Sequence, residues 1–559
     1  MVLKKKMAVM CATSAIAVMA LVGCSSTGGN TSSGGSSTGK GEGQALEVLA
    51  NKNARAAIAM SVDRQAMCDT ILNNGSIPAS YYVAEKLATN EAGKDYREVA
   101  GKMGYEHNKE EAAKLWDKAK EEVGFDTLKL ELLTFDSESS KRQAEFMQSE
   151  LQSALPGLTV EIKTQPFKQK LDLESKGDFD LSYAGWNPDY ADPLTFLETM
   201  QPGIQYAKNT SYKNDEYHKL IEEAKNADTQ DASWAKYAEA EKMMLDDAYL
   251  VPLTQAGSSY LQKPYVSGRL TPSFGVPAIY NWVQLGEGKK ELNITSTSDI
   301  PTLDISKAED TVSSEVLMNT MEGLVKLDKD GKLAPGIAEK WEKSEDGKSW
   351  TFHLRKDAKW SNGDPVTAKD FEFSWKRTLD PATASTYGFI MYDIVGAKDY
   401  NLGKTDNADG VGIKAVDDYT LKVDLARPVH YFDSLMFFKS FLPQNEKAVK
   451  EFGSEYGTAA DKIVYNGPFT LSNWKIEDVY TMSKNPNYWD ASSVKIDKVN
   501  TKIVKDANAA LNLYETGSID IVILNSENVD KYKDSPEFKT TLKASTYFFQ
   551  INGGKGASK

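Results

Sequence analysis

The chain has 559 residues, 41% hydrophobic and 26% charged, so it is too long for a single core and reads as roughly three or four domains, or two lobes of one large fold. Its 80 acidic and 66 basic side chains leave a formal charge of −14, which argues against a nucleic-acid-binding face. Its 4 histidines (His107, His218, His353, His430) stand apart, with no H-E-x-x-H and no C-x-x-C in the chain, so no metal, cofactor or catalytic constellation is expected.

Lys4-Lys5-Lys6 followed by the apolar run Met7 to Val22 reads as a signal peptide. The run ends in Leu21-Val22-Gly23-Cys24, which resembles a bacterial lipobox, so residues 1–24 are expected to be a lipoprotein leader. Lipid on Cys24 would then anchor the chain to a membrane surface without a spanning helix. Residues 25–45 are Gly/Ser-rich and read as a flexible tether. Gly35-Ser36-Ser37-Thr38-Gly39 mimics a hydrolase elbow, but no strand precedes it and no helix follows. Gly34 to Gly41 mimics a phosphate loop with Gly41 where Ser or Thr must hold magnesium. Both are set aside. Cys68 is left alone once Cys11 and Cys24 are assigned to the leader and the lipid, so no disulfide framework is expected.

A helix is predicted over Ala54 to Leu72, with Ala57, Ile58, Val62 and Ile71 toward the core. KEEAAKLWDKAKEEVG is a helix closed by Gly124, and Thr127 to Phe135 alternates as a strand. The helix SSKRQAEFMQSELQSAL stops at Pro156-Gly157, and the strands LTVEIKTQPF and FDLSYAGW (Phe179 to Trp186) follow. Units of this size imply parallel pairing through right-handed crossovers. Residues 208–248 read as two helices, and Val251 returns to strand. The second half differs, with a hairpin around Asp346-Gly347, a capping box at Thr367 opening a helix, and strands near Tyr419–Leu425, Phe469–Trp474 and Tyr480–Ser483. STYFFQIN closes the series as a strand, followed by a flexible tail over 553–559.

WSNGDPVTAKDFEFSWKR (Trp360 to Arg377), NGPFTLSNW (Asn466 to Trp474), KNPNYWD (Lys484 to Asp490), LYETGSIDI (Leu513 to Ile521), ARAAIAMSVDR (Ala54 to Arg64) and AGWNPDYADPLTFLETM (Ala184 to Met200) together resemble the extracellular solute-binding proteins of peptide ABC importers, above all the oligopeptide-binding lipoproteins. The resemblance runs from about Leu46 to Asn552, but in exchanged order. In that family a segment like SDIPTLD comes first, and YFFQIN leads into the helix seen here as ARAAIAMSVDR. The chain therefore resembles a circular permutant, its family termini joined through Gly286-Glu287-Gly288. The resemblance implies an α/β, type II periplasmic-binding-protein-like fold of two lobes with an additional inserted domain. The expected division is 46–250 as domain III, 251–325 as domain I with the join near 286–290, 326–464 as domain II and 465–552 as the rest of domain I. The break after YFFQIN would fall on a crossover strand and loosen the hinge.

By the same resemblance the ligand is an oligopeptide held by its backbone and its charged ends. Asp189 would pair with the peptide's ammonium, and Asp192 is the neighbour most easily confused with it. Gly185, Trp186 and Asn187 would offer one backbone edge, and Glu309, Asp310 and Thr311 the opposite one. Phe167 and Tyr387 would line side-chain pockets. Tyr183 stands where the best-known relatives carry an arginine for the peptide carboxylate, which favours ligands less dependent on that end. The expected partners are an oligopeptide, the permease subunits of an ABC transporter, and the membrane surface through Cys24, with the protein a monomer on the outer face of a bacterial cell membrane. Other readings are a peptide pheromone, haem, nickel or dipeptide ligand on the same fold, or an engineered permuted scaffold without transport.

Overall fold

The computed structural model describes residues 41–554 except 91 and 287. Cys24, the leader, most of the tether and the tail from 555 lie outside the described residues. The first described element, the helix Gly41–Ala50, begins inside the span assigned to the tether. It buries Ala45, Val48 and Leu49, so apolar spacing outweighs the flanking glycines here.

One lobe is built on a seven-stranded sheet. Leu128–Phe135 pairs in parallel with Leu158–Gln165 and, over Leu132 and Leu133 only, with Leu181–Trp186. The helix Glu138–Ala154 makes the crossover, capped by the Ser137 hydroxyl on the Ser140 N–H. The helix Lys109–Val123 closes on Gly124 at φ 82°, a left-handed turn that a glycine enters without steric cost. The helix predicted over 54–72 is interrupted. Val62 is extended and Asp63 caps a new turn at the Ala66 N–H (2.9 Å), which continues as a π-helical turn Met67–Leu72. Cys68 is buried there, and desolvation pushes its thiol up to about 12.

The second lobe holds two four-stranded sheets. Ala338–Lys343, Ser349–Leu354, Thr420–Asp424 and Ile413–Asp417 form an antiparallel sheet. Its first hairpin turns at Gly347 (φ 69°) and buries Trp350, Phe352 and Leu354 against the helix-rich core. The helix Ala368–Leu379 starts from the Thr367–Asp370 capping box. The other sheet runs Phe469–Lys475, Val479–Lys484, Lys498–Ile503 and Glu291–Ser296, the last pair parallel.

Two long antiparallel strands, Leu250–Gln262 and Phe538–Ile551, connect these regions. At one end they join the large sheet through Leu181–Trp186, and at the other Tyr260–Gln262 pairs with Ile521–Ile523. The expected boundary at 250/251 therefore coincides with the start of a strand that serves both regions. Their register shifts between Leu542 and Thr546. Buried Gln255 fills that bulge, donating from Nε2 to the Lys543 carbonyl (2.9 Å) and the Glu85 carbonyl (3.0 Å).

Candidate functional site

A cleft of about 2570 Å³ opens between the lobes. It is lined by residues 183–186 and the loop after them from one side, and by segments near 271–277, 295–315, 386–393 and 431–439 from the other. Tyr183, Gly185, Trp186, Asn187, Asp189, Glu309, Asp310, Thr311 and Tyr387 all line it. Phe167 follows the strand Leu158–Gln165. It opens the helix Phe167–Lys176, and its side chain lies outside what is described.

Leu181–Trp186 is paired along its whole length with Thr546–Ile551 on one side. On the other side pairing stops at Ser182, so Tyr183 to Trp186 present an unpaired edge to the cleft. An edge of this kind accepts an extended main chain. Gly185 is required there because a Cβ would lie 2.8 Å from the Tyr547 ring. The Asn187 Oδ1 accepts from the Ser545 hydroxyl (2.5 Å), which fixes the loop to the bulge. The Trp186 indole N–H is buried without an acceptor among the described residues.

Asp189 is 8% exposed. Its N–H donates to the Thr195 hydroxyl (3.0 Å), but its carboxylate has no hydrogen-bond partner among the described residues. Burial pushes this carboxyl up to about 6, and the nearby Lys439 ammonium partly offsets the rise. Asp192 behaves differently: it accepts from the Leu194 N–H (3.0 Å) and the Trp234 indole (3.5 Å), and it does not line the cleft. The pair is thereby sorted into an acid that shapes a loop and an acid that faces the cleft.

Across the cleft, Glu309 and Asp310 precede a helix, and Thr311 is its first residue. Asp310 is extended (φ −104°, ψ 164°) and its side chain caps the Ser313 N–H at 2.8 Å, while Glu309 accepts from the Thr386 hydroxyl at 2.8 Å. Thr311, expected to share that edge with Glu309 and Asp310, is the first residue of the helix that Asp310 caps, and it lines the cleft beside them.

Two features of the site are not visible as motifs. Lys170 and Glu174, four apart on one helix, form a buried ion pair at 2.5 Å that lines the cleft. Ser182 and Gln550 donate to the same Glu174 oxygen (2.6 and 2.9 Å). The cleft near Tyr183 therefore does contain a cation, but on a helix and paired within the chain. The Tyr183 hydroxyl itself donates to Gln143 (2.8 Å). The second feature is Lys439, 1% exposed within the aromatic run Phe437 to Phe441. Its Nζ lies 3.6 Å from the Tyr387 ring centre and 4.2 Å from that of Phe438. A lysine inside an apolar run was the one signal in the sequence.

Among the described residues no group of three His, Cys, Asp or Glu side chains could hold a metal ion, and no helix is long and apolar enough to cross a membrane.

Residues 31–207 and 332–558 match the family model described as bacterial extracellular solute-binding proteins, family 5 Middle. The dipeptide-binding protein DppE of Bacillus subtilis is 39% identical over 47% of this chain and 48% of its own length. The oligopeptide-binding protein OppA of the same organism is 38% identical over 48% and 51%. The chain thus spans about half the length of the curated relatives it matches. Among solved structures, the substrate-binding domain of an oligopeptide ABC transporter from Bacillus anthracis is 51% identical over 44% of this chain and 48% of that one, with a TM-score of 0.44. Listeria monocytogenes OppA bound to peptide is 42% identical over 45% and 49%, also at 0.44.

Proposed function

Because the chain belongs to the bacterial extracellular solute-binding proteins of family 5, a non-catalytic family of bilobed α/β fold, we propose that it captures oligopeptides in this cleft and delivers them to an ABC importer. The observation that carries this reading is the buried Asp189 carboxylate, without a hydrogen-bond partner among the described residues, beside the unpaired edge Tyr183 to Trp186. Together they match what every peptide presents, an ammonium and a main chain with alternating donors and acceptors. The names of the relatives, oligopeptide- and dipeptide-binding, support the same ligand class.

In this reading the ligand's first residue sits between Asp189 and Tyr387, with its backbone running along Gly185, Trp186 and Asn187 and facing Glu309 and Asp310. Side chains then enter the wide remainder of the cleft, where water completes the fit. The lobes correspond to domain III over 46–250, domain I over 251–325 and 465–552, and domain II over 326–464. Lipid on Cys24 would hold the monomer on the outer face of the cell membrane, close to its permease.

The chain order is read as a circular permutation. A collinear comparison can follow only one half of an exchanged order, and matches covering about half of both partners support this. The strand Gln284–Leu285 ends only a few residues before Glu291–Ser296 begins, which supports a short join of former ends. Equal closure energies in this chain and in a version with the family order would contradict the loosened hinge.

Native mass spectrometry of the purified protein tests the function. Bound masses matching a spread of peptides, lost in Asp189→Asn, are expected. A bound haem, metal or single non-peptide compound would overturn the reading.

A further inference from the structure

Lys439 poses a question that the peptide reading leaves open. Its ammonium lines the cleft, is almost wholly buried, and has no hydrogen-bond acceptor among the described residues. A charge in that position is costly unless something compensates it. The Tyr387 and Phe438 ring faces supply part of the compensation. The rest comes through space from Asp189, Asp310 and Glu309. Asp310 and Glu309 are already engaged by Ser313 and Thr386. Asp189 is not engaged, and it makes no ion-pair contact with Lys439. The two charges face one cavity from different segments.

The lysine is also held firmly. Its segment is fixed to the helix Ala368–Leu379 by the Trp375 indole on the Phe441 carbonyl (2.9 Å) and the Ser374 hydroxyl on the Leu442 carbonyl (2.7 Å). On the other side Asp189 acts on Glu198, Tyr206 and Tyr387 as well as on Lys439.

We propose that Lys439 is a resident counter-ion that keeps Asp189 charged before a ligand arrives, and that a ligand's ammonium takes over this carboxylate by exchange, with Lys439 passing one proton from Nζ to solvent. This rests on the peptide reading of the site. Two cations cannot share one buried carboxylate without repulsion, and lysine, unlike arginine, can relieve it by deprotonating. Burial already brings Lys439 down to about 8, so little further loss of compensation is needed. The lysine thereby sets how much charge the amino-terminal subsite accepts: one ammonium, admitted by exchange.

The test is calorimetry of tetra-alanine binding to the full chain at a fixed pH near 7.5, in buffers of different ionisation enthalpy. The probe's own amine, near pKa 8, takes up part of a proton on binding. Lys439→Arg keeps the cation but cannot deprotonate, so it supplies that baseline. Wild type is expected to release about three-quarters of a proton more than Lys439→Arg, the protonated fraction at pH 7.5 of a group near 8. It should also bind at least roughly ten-fold more tightly than the arginine variant, because one close ion–ion interaction at an effective dielectric near 20 is worth more than a decade of affinity. Lys439→Met should bind more tightly than wild type at pH 7.5, with its acid limb moved to higher pH because Asp189 has lost its cation. Equal proton counts in wild type and Lys439→Arg overturn the proposal, and they decide it even if the methionine variant does not fold. Equal binding of N-acetyl-tetra-alanine would instead sink the ammonium reading of Asp189, whatever Lys439 does.

Discussion

Tyr190 stacks on Tyr431 with ring centres 4.7 Å apart and planes 11° from parallel, joining the loop that carries Asp189 to the opposite lobe. Two further contacts cross at the same place. The Arg427 guanidinium donates to the Lys225 carbonyl (2.8 Å), and His430 Nε2 lies 3.1 Å from the Ala227 carbonyl. Stacked pairs contribute about 0.5–1.5 kcal/mol beyond their area. Tyr431→Ala should therefore weaken peptide affinity by roughly that amount, with a more open average shape in small-angle scattering of the ligand-free protein. An unchanged affinity would mean that the stack has no part in closure.

Asp189 determines the acid limit of binding. Only its ionised form can pair with an ammonium, and burial raises its carboxyl to about 6. Below that value its protonation should lower affinity for a free-amino peptide by about ten-fold per pH unit, in addition to the fall that proton release from Lys439 already causes below about 8. Asp189→Asn should lose about 3–5 kcal/mol near neutral pH, because the ligand's ammonium is then buried unpaired. It should also flatten the acid limb. An acid limb below about 6 as steep in the asparagine variant as in wild type would assign that titration to another group.

Gly185→Ala tests the edge without touching a charge. Its new methyl would meet the Tyr547 ring at 2.8 Å. Overpacking of this kind costs roughly 1–3 kcal/mol. The thermal midpoint should drop, and peptide affinity should drop further in the refolded protein as the edge is displaced. A variant as stable and as tight-binding as wild type would show that the edge tolerates a side chain.

Stability has its own pH dependence. Burial raises the carboxyls of Asp192 and Glu198 to about 7 each. Both groups hold their protons more tightly in the native state than in the unfolded chain. Between their ordinary values near 4 and about 7, the native state therefore binds more protons, and stability falls as pH rises. The thermal midpoint of the ligand-free protein should decline from pH 5 to 7.5, and Glu198→Gln should reduce the slope. A midpoint rising across this range would contradict the burial argument.

Much of the architecture was legible because it depends on local periodicity. The strand Leu128–Phe135, the helix Lys109–Val123 with its Gly124 cap, the hairpin at Gly347 and the Thr367 capping box all stand where spacing placed them. The interruption at Val62–Asp63 was missed because a capping aspartate within a helical pattern resembles a surface position. The helical start at Thr311 is hidden from the sequence for a similar reason, since it depends on the side-chain cap that Asp310 places on the Ser313 N–H. The charges in the cleft were the least readable. Lys170, Glu174 and Lys439 are separated along the chain from Asp189, and only packing shows that they share one cavity. The resemblance alone singles out Asp189 over Asp192, and only packing shows that Asp192 accepts from the Leu194 N–H and the Trp234 indole and does not line the cleft.

The central claim is a clamp on an extended backbone with its leading ammonium neutralised by a single acid. A crystal structure of the protein with tetra-alanine addresses it directly. The account predicts the peptide amine within hydrogen-bond distance of the Asp189 carboxylate, and main-chain hydrogen bonds from the peptide to the edge between Tyr183 and Trp186. A peptide bound with its amine in solvent, or seated away from that edge, would contradict it.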